Sequence, residues 1–267
     1  MGESGKATVQ LKERTAKSFG FEWDKFNDVF AEYEENFLDY IAPIGKDFFK
    51  GKKVLDAGCG AGRHAVFATN YGATVYAFDL SDKAVATAQD NAIGLSRLQV
   101  VQADIYGLPE AWDNSFDYVL SIGVLHHLPD PQGGFDQLVK MAKVGGSISI
   151  WVYGQKDNQL AIHLYEPIRK ITKRIPHRLL YALSLLPALI MEAMNRLGIS
   201  AFSHYARFPF RTKWNDVFDV FSAPSARYYT IAEIEKWFEQ AGLKDIQISY
   251  RMMNGVAKGI KGLGVKR

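Results

Sequence analysis

Val54-Leu55-Asp56-Ala57-Gly58-Cys59-Gly60-Ala61-Gly62-Arg63 decides the fold of this chain. A short apolar run empties into three alternating glycines and then into a helical stretch from Arg63 to Tyr71. Such a run, closed by glycines, predicts a buried strand and a tight turn. Glycine lets the backbone pass close to a ligand, and the first turn of the next helix presents N–H groups without partners of their own. Together they form a cradle for a nucleotide-like ligand. The spacing narrows the choice. A dinucleotide fingerprint requires G-x-G-x-x-G, and counted from Gly58 its third glycine falls on Arg63. The pattern present is Gly58-x-Gly60-x-Gly62, preceded by Asp56. A carboxylate there opposes a pyrophosphate but not a cationic or zwitterionic ligand.

Outward from this stretch the rhythm is strand, helix, strand. Thr74–Phe78, Leu98–Gln102, Phe116–Ile122 and Ser147–Tyr153 read as strands, and Ser81–Ala92 and Phe135–Ala142 as helices. That alternation implies parallel βαβ units with right-handed crossovers. The rhythm stops between Gly154 and Arg227, where only helices are expected. It resumes with a helix at Thr230–Gln240, where Thr230 and Glu233 form a capping box and Gly242 a stop, followed by strands at Ile246–Tyr250 and Val256–Ile260. Before the first strand, residues 1–18 are polar and expected to be frayed or loosely helical. Phe26, Phe30, Tyr33 and Phe37 are spaced as one helical face.

Composition sets the class. With 267 residues, 48% hydrophobic and 23% charged, the chain is globular rather than disordered. Cys59 is the one cysteine, so neither an internal disulfide nor a Cys-rich zinc site can form. A reducing, cytoplasmic setting is expected, with no leader segment at the start. The net charge of +3 is too small to mark a nucleic-acid binder, but it is unevenly spread. Residues 154–214 hold ten bases, among them Arg169, Lys170, Lys173, Arg174, Arg207 and Lys213, against Asp157, Glu166 and Glu192. That stretch carries +7 and the remainder −4.

The glycine turn resembles motif I of the class I S-adenosylmethionine (SAM)-dependent methyltransferases, and the resemblance continues in order. Asp79, closing Val75-Tyr76-Ala77-Phe78, matches the acidic residue that binds ribose hydroxyls. Asp104, in Val101-Gln102-Ala103-Asp104-Ile105, matches the one beside the adenine amino group. Phe116-Asp117-Tyr118-Val119-Leu120-Ser121, then Val124-Leu125-His126-His127-Leu128, resembles the fourth-strand motif of the small-molecule, UbiE-like (methyltransferase type 11) branch. Gly145-Gly146 matches its glycine pair, although Lys143-Val144 stands where Lys-Pro is usual. The match is dense over 50–153 and loose over 228–262. Asp79 taken singly also suits a helix cap, and Asp104 a turn. Asp117 reads as support for the fold.

The resemblance implies an α/β fold: a Rossmann-like, doubly wound, mostly parallel seven-stranded sheet with N-terminal helices. It implies four segments: 1–50 closing the cofactor pocket, 51–153 as the SAM-binding core, 154–227 as a helical substrate-binding cap after the fifth strand, and 228–267 completing the core. The implied cofactor is SAM, its product S-adenosylhomocysteine, and the expected binding residues are Phe19, Trp23, Asp56, Gly58, Gly60, Asp79, Leu80, Asp104, Ile105 and Gly123. Leu80 and Ile105 suit the walls of an adenine slot. The Phe19–Trp23 cluster suits either a lid or a packed aromatic face. His126 and His127 are candidate general bases, His126 first. The related ubiquinone O-methyltransferases hold a metal with Glu-x-x-Glu-His at this point. Gly123, His126 and His127 fill those places here, so no metal is expected.

In the insertion, Arg169, Lys170, Lys173 and Arg174 read as a basic face, followed by the 13-residue apolar run Leu179–Met191 containing Pro187. A membrane span needs ~20 apolar residues. The run therefore reads as a cap helix or a surface lying on a bilayer, with 160–198 as the peripheral membrane or lipid contact. The expected reaction is methyl transfer to a small-molecule acceptor, with a lipid-like or anionic one suggested by the insertion. The alternatives are an NAD(P)-dependent Rossmann oxidoreductase and a non-catalytic SAM-binding scaffold.

Overall fold

The computed structural model describes residues 3–159, 161–198, 208–253 and 256–267. Arg207 of the basic count and Leu160 at the start of the expected membrane contact lie outside them. Two helices come first, α1 (Glu3–Lys25) and α2 (Tyr33–Ile41). The core then runs β1 (Lys53–Ala57), α3 (Arg63–Asn70), β2 (Thr74–Asp79), α4 (Asp82–Asn91), β3 (Leu98–Gln102), β4 (Phe116–Ile122), α5 (Pro131–Met141) and β5 (Ala142–Val152). The insertion carries α6 (Glu166–Thr172), α7 (His177–Arg196) and α8 (Phe210–Ser222). The core closes with α9 (Ile231–Gln240), β6 (Lys244–Met253) and β7 (Val256–Val265).

Among the described residues the strands form one sheet in the order β3-β2-β1-β4-β5-β7-β6. Neighbours from β3 to β5 pair in parallel, and β7 runs antiparallel to both β5 and β6. The expected seven-stranded, mostly parallel sheet is therefore present. Both faces are covered. Leu55, Ala57 and Val119 pack into one apolar cluster, and their neighbours Val54, Tyr118 and Leu120 into the other. Side chains alternate across a strand, so continuous apolar runs mark strands buried on both sides. From β1 the chain winds outward to β3, then returns to β4 beside β1. This reversal opens a crevice at the carboxyl ends of β1 and β4, where ligands of such sheets bind.

Local chemistry explains several boundaries. Ser81 caps α4 by accepting from the Ala84 N–H, and the expected Thr230–Glu233 capping box closes the start of α9. Asp117 accepts from Lys53 N–H (2.7 Å) and Lys143 Nζ (2.9 Å), tying the starts of β1 and β5 to β4, a supporting role. Gly145-Gly146 lies within β5 rather than before it, at a register shift against β4.

One expectation is narrowed and two need correction. Of the two alternatives for the start of the chain, residues 3–18 take the helical one, as part of the continuous helix α1, rather than a frayed end. The aromatic face from Phe26 to Phe37 is not one helix, because α1 stops at Lys25 and α2 begins at Tyr33. Arg63 donates to the carbonyls of Phe26 (2.8 Å) and Asp28 (3.0 Å), and Asn91 to that of Asn27 (2.9 Å). These donors satisfy backbone groups that a helix would otherwise pair. Finally, Arg169 does not join a basic face. It is buried at 4% exposure, bonded to Glu166 (2.5 Å) and to the carbonyl of Val220 near the end of α8 (2.8 Å).

The insertion is fastened to the rest by polar clasps. Lys213, buried, bonds Glu192 (2.7 Å), and Trp214 Nε1 donates to Ser184 Oγ (2.9 Å), joining α8 to α7. Ser18 Oγ of α1 donates to the Ser222 carbonyl (2.9 Å), joining the insertion to the N-terminal helix.

Candidate active site

At the carboxyl ends of β1 and β4 lies a cavity of about 120 Å³. Phe19, Trp23, Gly58, Asp79, Leu80, Asp104, Ile105 and Gly123 all line it. The loops meet closely there: a Cβ on Gly58, whose φ is +74°, would lie 2.5 Å from Val124 Cγ2. Only glycine allows that approach with that backbone. Two expected residues stand behind the wall instead. Gly60 lies beneath Trp23, where a Cβ would sit 2.7 Å from the indole. Asp56 is 1% exposed, its Oδ2 has no partner among the described residues, and burial pushes its carboxyl up to about 7.

Asp79 closes β2 and holds the turn together. Its carboxylate accepts from the N–H groups of Gly60 (3.0 Å) and Ser81 (2.9 Å). Burial raises its pKa, and the N–H groups of Ser81, Gly60 and Leu80 oppose that shift. Asp104 accepts from Tyr106 N–H (3.1 Å) and pairs with Lys12 (2.6 Å), whose ammonium also lies 4.3 Å over the Tyr106 ring. Helix α1 thus crosses the cavity mouth. Its lining residues Lys12, Ala16, Phe19 and Trp23 recur at four, three and four residues, one helical face. Lys12, Thr15 and Tyr106 were missed from sequence. That periodicity in α1 is the signal that identifies Lys12.

Arg63, at the place where a dinucleotide fingerprint needs glycine, clamps the N-terminal segment. Its guanidinium lies 4.3 Å over Tyr33 and 5.0 Å over Trp23, besides its two carbonyl bonds. Glycine there would release the N-terminal segment from the first turn of α3.

The two histidines after β4 differ. His127 lines the cavity, touches Phe19 (ring centroids 4.9 Å) and has Nδ1 2.5 Å from the Ser225 carbonyl. A carbonyl accepts only, so Nδ1 carries the proton and Nε2 is the acceptor nitrogen. Burial pushes His127 down to about 4, so the ring is neutral near pH 7. His126 is fully buried, is not among the lining residues, and has neither ring nitrogen bonded among the described residues. It stacks on Tyr153, centroids 4.0 Å apart.

Beyond His126 lies a polar interior between α1 and α8. Tyr153 OH donates to Asp219 Oδ2 (3.2 Å). Glu22, one turn from Phe19 on α1, is 1% exposed. Burial raises its carboxyl well above the usual range, Asp219 and Asp216 add to this, and Arg63 and the Asn215 amide oppose it. None of these interior residues was singled out from sequence.

Residues 55–150 match the family model described as a methyltransferase domain. A ubiquinone biosynthesis O-methyltransferase of Thiobacillus denitrificans is 30% identical over 191 residues, which cover 66% of this chain and 77% of that protein. This chain belongs to the class I SAM-dependent methyltransferases. A second ubiquinone biosynthesis O-methyltransferase, from Paracidovorax citrulli, is 32% identical over 146 residues; the match spans 52% of this chain and only 58% of that protein's length. The fold is shared with the crystal structure of the Burkholderia thailandensis 1,6-didemethyltoxoflavin-N1-methyltransferase (TM-score 0.59, 16% identity, 100% of this chain and 92% of that one). Class I methyltransferases use SAM, and the residues on this cavity suit it. A carboxylate at the end of β2 accepts from hydroxyl donors, and the glycine turn admits a ligand to the backbone.

Proposed function

We propose that this chain methylates a small organic acceptor, with SAM bound across the β1–β4 crevice. The observation that carries this reading is the convergence of Asp79, Asp104, Gly58 and Gly123 on one cavity at the sheet's switch point. When bound, SAM supplies a methyl group already activated by its sulfonium. The chain's residues then have three tasks. Asp79 holds the ribose hydroxyls, and Asp104, with Leu80 and Ile105, holds the adenine. Phe19 and Trp23 of α1 cover the site and exclude water. The acceptor's lone pair bonds to the methyl carbon as the carbon–sulfur bond breaks. That electron pair stays on sulfur, giving S-adenosylhomocysteine. Proximity and orientation supply most of the acceleration. Where the acceptor must lose a proton, His127 Nε2 takes it, in preference to His126, which stands behind it.

On this reading 1–50 is the lid, 51–153 and 228–267 are the cofactor core, and 154–227 is the acceptor cap. Calorimetry with S-adenosylhomocysteine and NAD⁺, followed by transfer of labelled methyl from SAM, tests it. Binding of NAD⁺ without S-adenosylhomocysteine would return the oxidoreductase alternative. Cofactor binding without transfer to any acceptor would return the scaffold.

A peripheral contact with an anionic bilayer, in a cytoplasmic setting, is the second part of this reading. It is favoured by α7, whose Leu180, Ser184, Ala188 and Met191 are buried while Leu179, Leu183, Leu186 and Ile190 are 52–65% exposed. Helix α7 is 20 residues long, continuous through Pro187, and apolar enough by length and composition to cross a membrane. Its buried stripe against the cap and its Arg178, Glu192 and Arg196 favour lying along a surface.

A further inference from the structure

The interior between α1 and α8 identifies the acceptor's class, on the footing that the chain transfers methyl groups as proposed above. The two helices run antiparallel there. Ser18 bonds the Ser222 carbonyl, and one to two turns along, Phe26 meets Phe218 and Trp214, with centroids 6.2 and 5.8 Å apart. Between these contacts α1 presents Glu22, and α8 presents Asn215 and Asp219, four residues apart and hence on one face. Three acceptor oxygens in this layer are buried without a donor among the described residues: Glu22 Oε2, Asn215 Oδ1 and Asp219 Oδ1. Neither nitrogen of the fully buried His126 has a partner among the described residues, one being an N–H donor and the other an acceptor, and its ring rests on Tyr153, which bonds Asp219. The layer is continuous with the proposed methyl site through His127, whose ring is 4.1 Å from that of His126.

Buried polar atoms are paired in folded proteins, and leaving an acceptor oxygen unpaired there is costly. The neighbouring cations do not pair these oxygens. Arg169 is committed to Glu166 and the Val220 carbonyl, and Arg63 to the carbonyls of Phe26 and Asp28. What the layer lacks is a positive group with several donors. An ammonium presents one charge and three N–H donors. A carboxylate or phosphate brings only further acceptors.

We propose that the methyl acceptor carries a protonated amine, held by Glu22 and Asp219, with Asn215 accepting its third N–H. A protonated nitrogen has no lone pair, so this amine is an anchor. The nucleophile is a second group of the same molecule, directed toward Gly123 and His127. The basic residues of the insertion that remain exposed face solvent and do not set the acceptor's charge.

The experiment fractionates the small molecules of the cells that make this protein into cation-exchange-retained, anion-exchange-retained and unretained pools. Each is incubated with the full chain and methyl-labelled SAM. Label is expected in amine-bearing molecules, in the cation-exchange pool where no acidic group offsets the ammonium. Glu22→Gln and Asp219→Asn are each expected to raise KM for that pool at least tenfold, while S-adenosylhomocysteine affinity stays within twofold, which also reports on folding. Label confined to molecules without an amine, identified by mass in whichever pool carries it, overturns the proposal, as does an unchanged KM in both variants. Transfer to no pool overturns the methyl-transfer reading itself, and this inference with it.

Discussion

Lys12 Nζ lies 2.6 Å from Asp104 Oδ2, so the first helix is latched to the loop after β3 across the mouth of the β1–β4 cavity. The cavity of about 120 Å³ is well below the ~300 Å³ at which small-molecule sites begin. On the proposed reading, α1 is expected to move when a ligand as large as SAM enters. Both partners are partly exposed, at 25% and 34%, so the latch is worth ~1 kcal/mol or less. Lys12→Met is expected to speed both association and dissociation of S-adenosylhomocysteine in stopped-flow, with Kd changed less than threefold. Asp104→Ala is expected to weaken binding instead. Equal effects of the two substitutions would mean that α1 does not gate entry.

Asp79 links the glycine turn to the end of β2, which separates two consequences of its removal. Asp79→Ala deletes acceptors for the N–H groups of Gly60 and Ser81 and also the proposed ribose contact. Loss of affinity for S-adenosylhomocysteine of about 1–3 kcal/mol is expected by calorimetry. Asp79→Asn retains one acceptor oxygen and should keep more of the thermal stability than Ala while still binding poorly. Unchanged affinity in both variants would remove Asp79 from the cofactor site.

Gly60 and Trp23 constrain each other. An added methyl at Gly60 meets the indole at 2.7 Å and also forces a non-glycine residue to φ +54°. Gly60→Ala is expected to destabilise the protein by about 1–3 kcal/mol in denaturant unfolding. Combining it with Trp23→Ala should recover the steric part and leave the backbone part. A strictly additive double variant would show that the two residues do not meet in solution.

What was readable in the sequence follows from how local each signal is. The strands, the glycine turn and Asp79 and Asp104 at successive strand ends are set by neighbours within ten residues, and each stands where expected. The N-terminal side of the cavity was half legible. Phe19 and Trp23 were found as aromatics, but Lys12 belongs to the site only because α1 is straight enough to bring it over Asp104. The break after Lys25 is invisible in the aromatic spacing, since its cause is Arg63, nearly forty residues away. The +7 insertion also changes meaning once folded. Arg169 and Lys213 are buried in ion pairs, and the interior beneath them is acidic. Glu22 and Asp219 are almost two hundred residues apart, and no local pattern marks a carboxylate that tertiary packing will bury.

His127 makes a pH signature. Its pKa falls from 6.5 to about 4 on folding because burial disfavours the imidazolium. Below pH 6.5 the unfolded chain binds a proton that the folded chain refuses. The stability this group contributes is therefore complete above pH 6.5 and is lost as pH falls toward 4. At 1.36 kcal/mol per pK unit the loss reaches about 3 kcal/mol. His64, pushed down to about 3 by burial, acts in the same direction, so the comparison must be made with a His127→Gln variant. Between pH 7 and pH 4.5 the unfolding free energy of the parent should drop by about 2–3 kcal/mol more than that of the variant. Parallel curves would place His127 in water.

The exposed stripe of α7 gives the last test. Leu183 and Leu186 are 53% and 65% exposed, and their neighbours on the buried stripe, Ser184 and Ala188, are closed. A large exposed apolar surface in a monomer marks a docking face, and Lys170, Arg174 and Arg178 lie beside it in sequence. Insertion of such a face into a bilayer combines apolar burial with attraction to anionic headgroups. The full chain is therefore expected to co-sediment with vesicles containing phosphatidylserine and to be released by raised salt. Leu183→Asp with Leu186→Asp should abolish sedimentation at unchanged S-adenosylhomocysteine affinity, because neither residue lines the β1–β4 cavity where the cofactor is proposed to bind. Sedimentation that survives both substitutions, or that is equal on neutral vesicles, would show that the stripe is not a contact with an anionic bilayer.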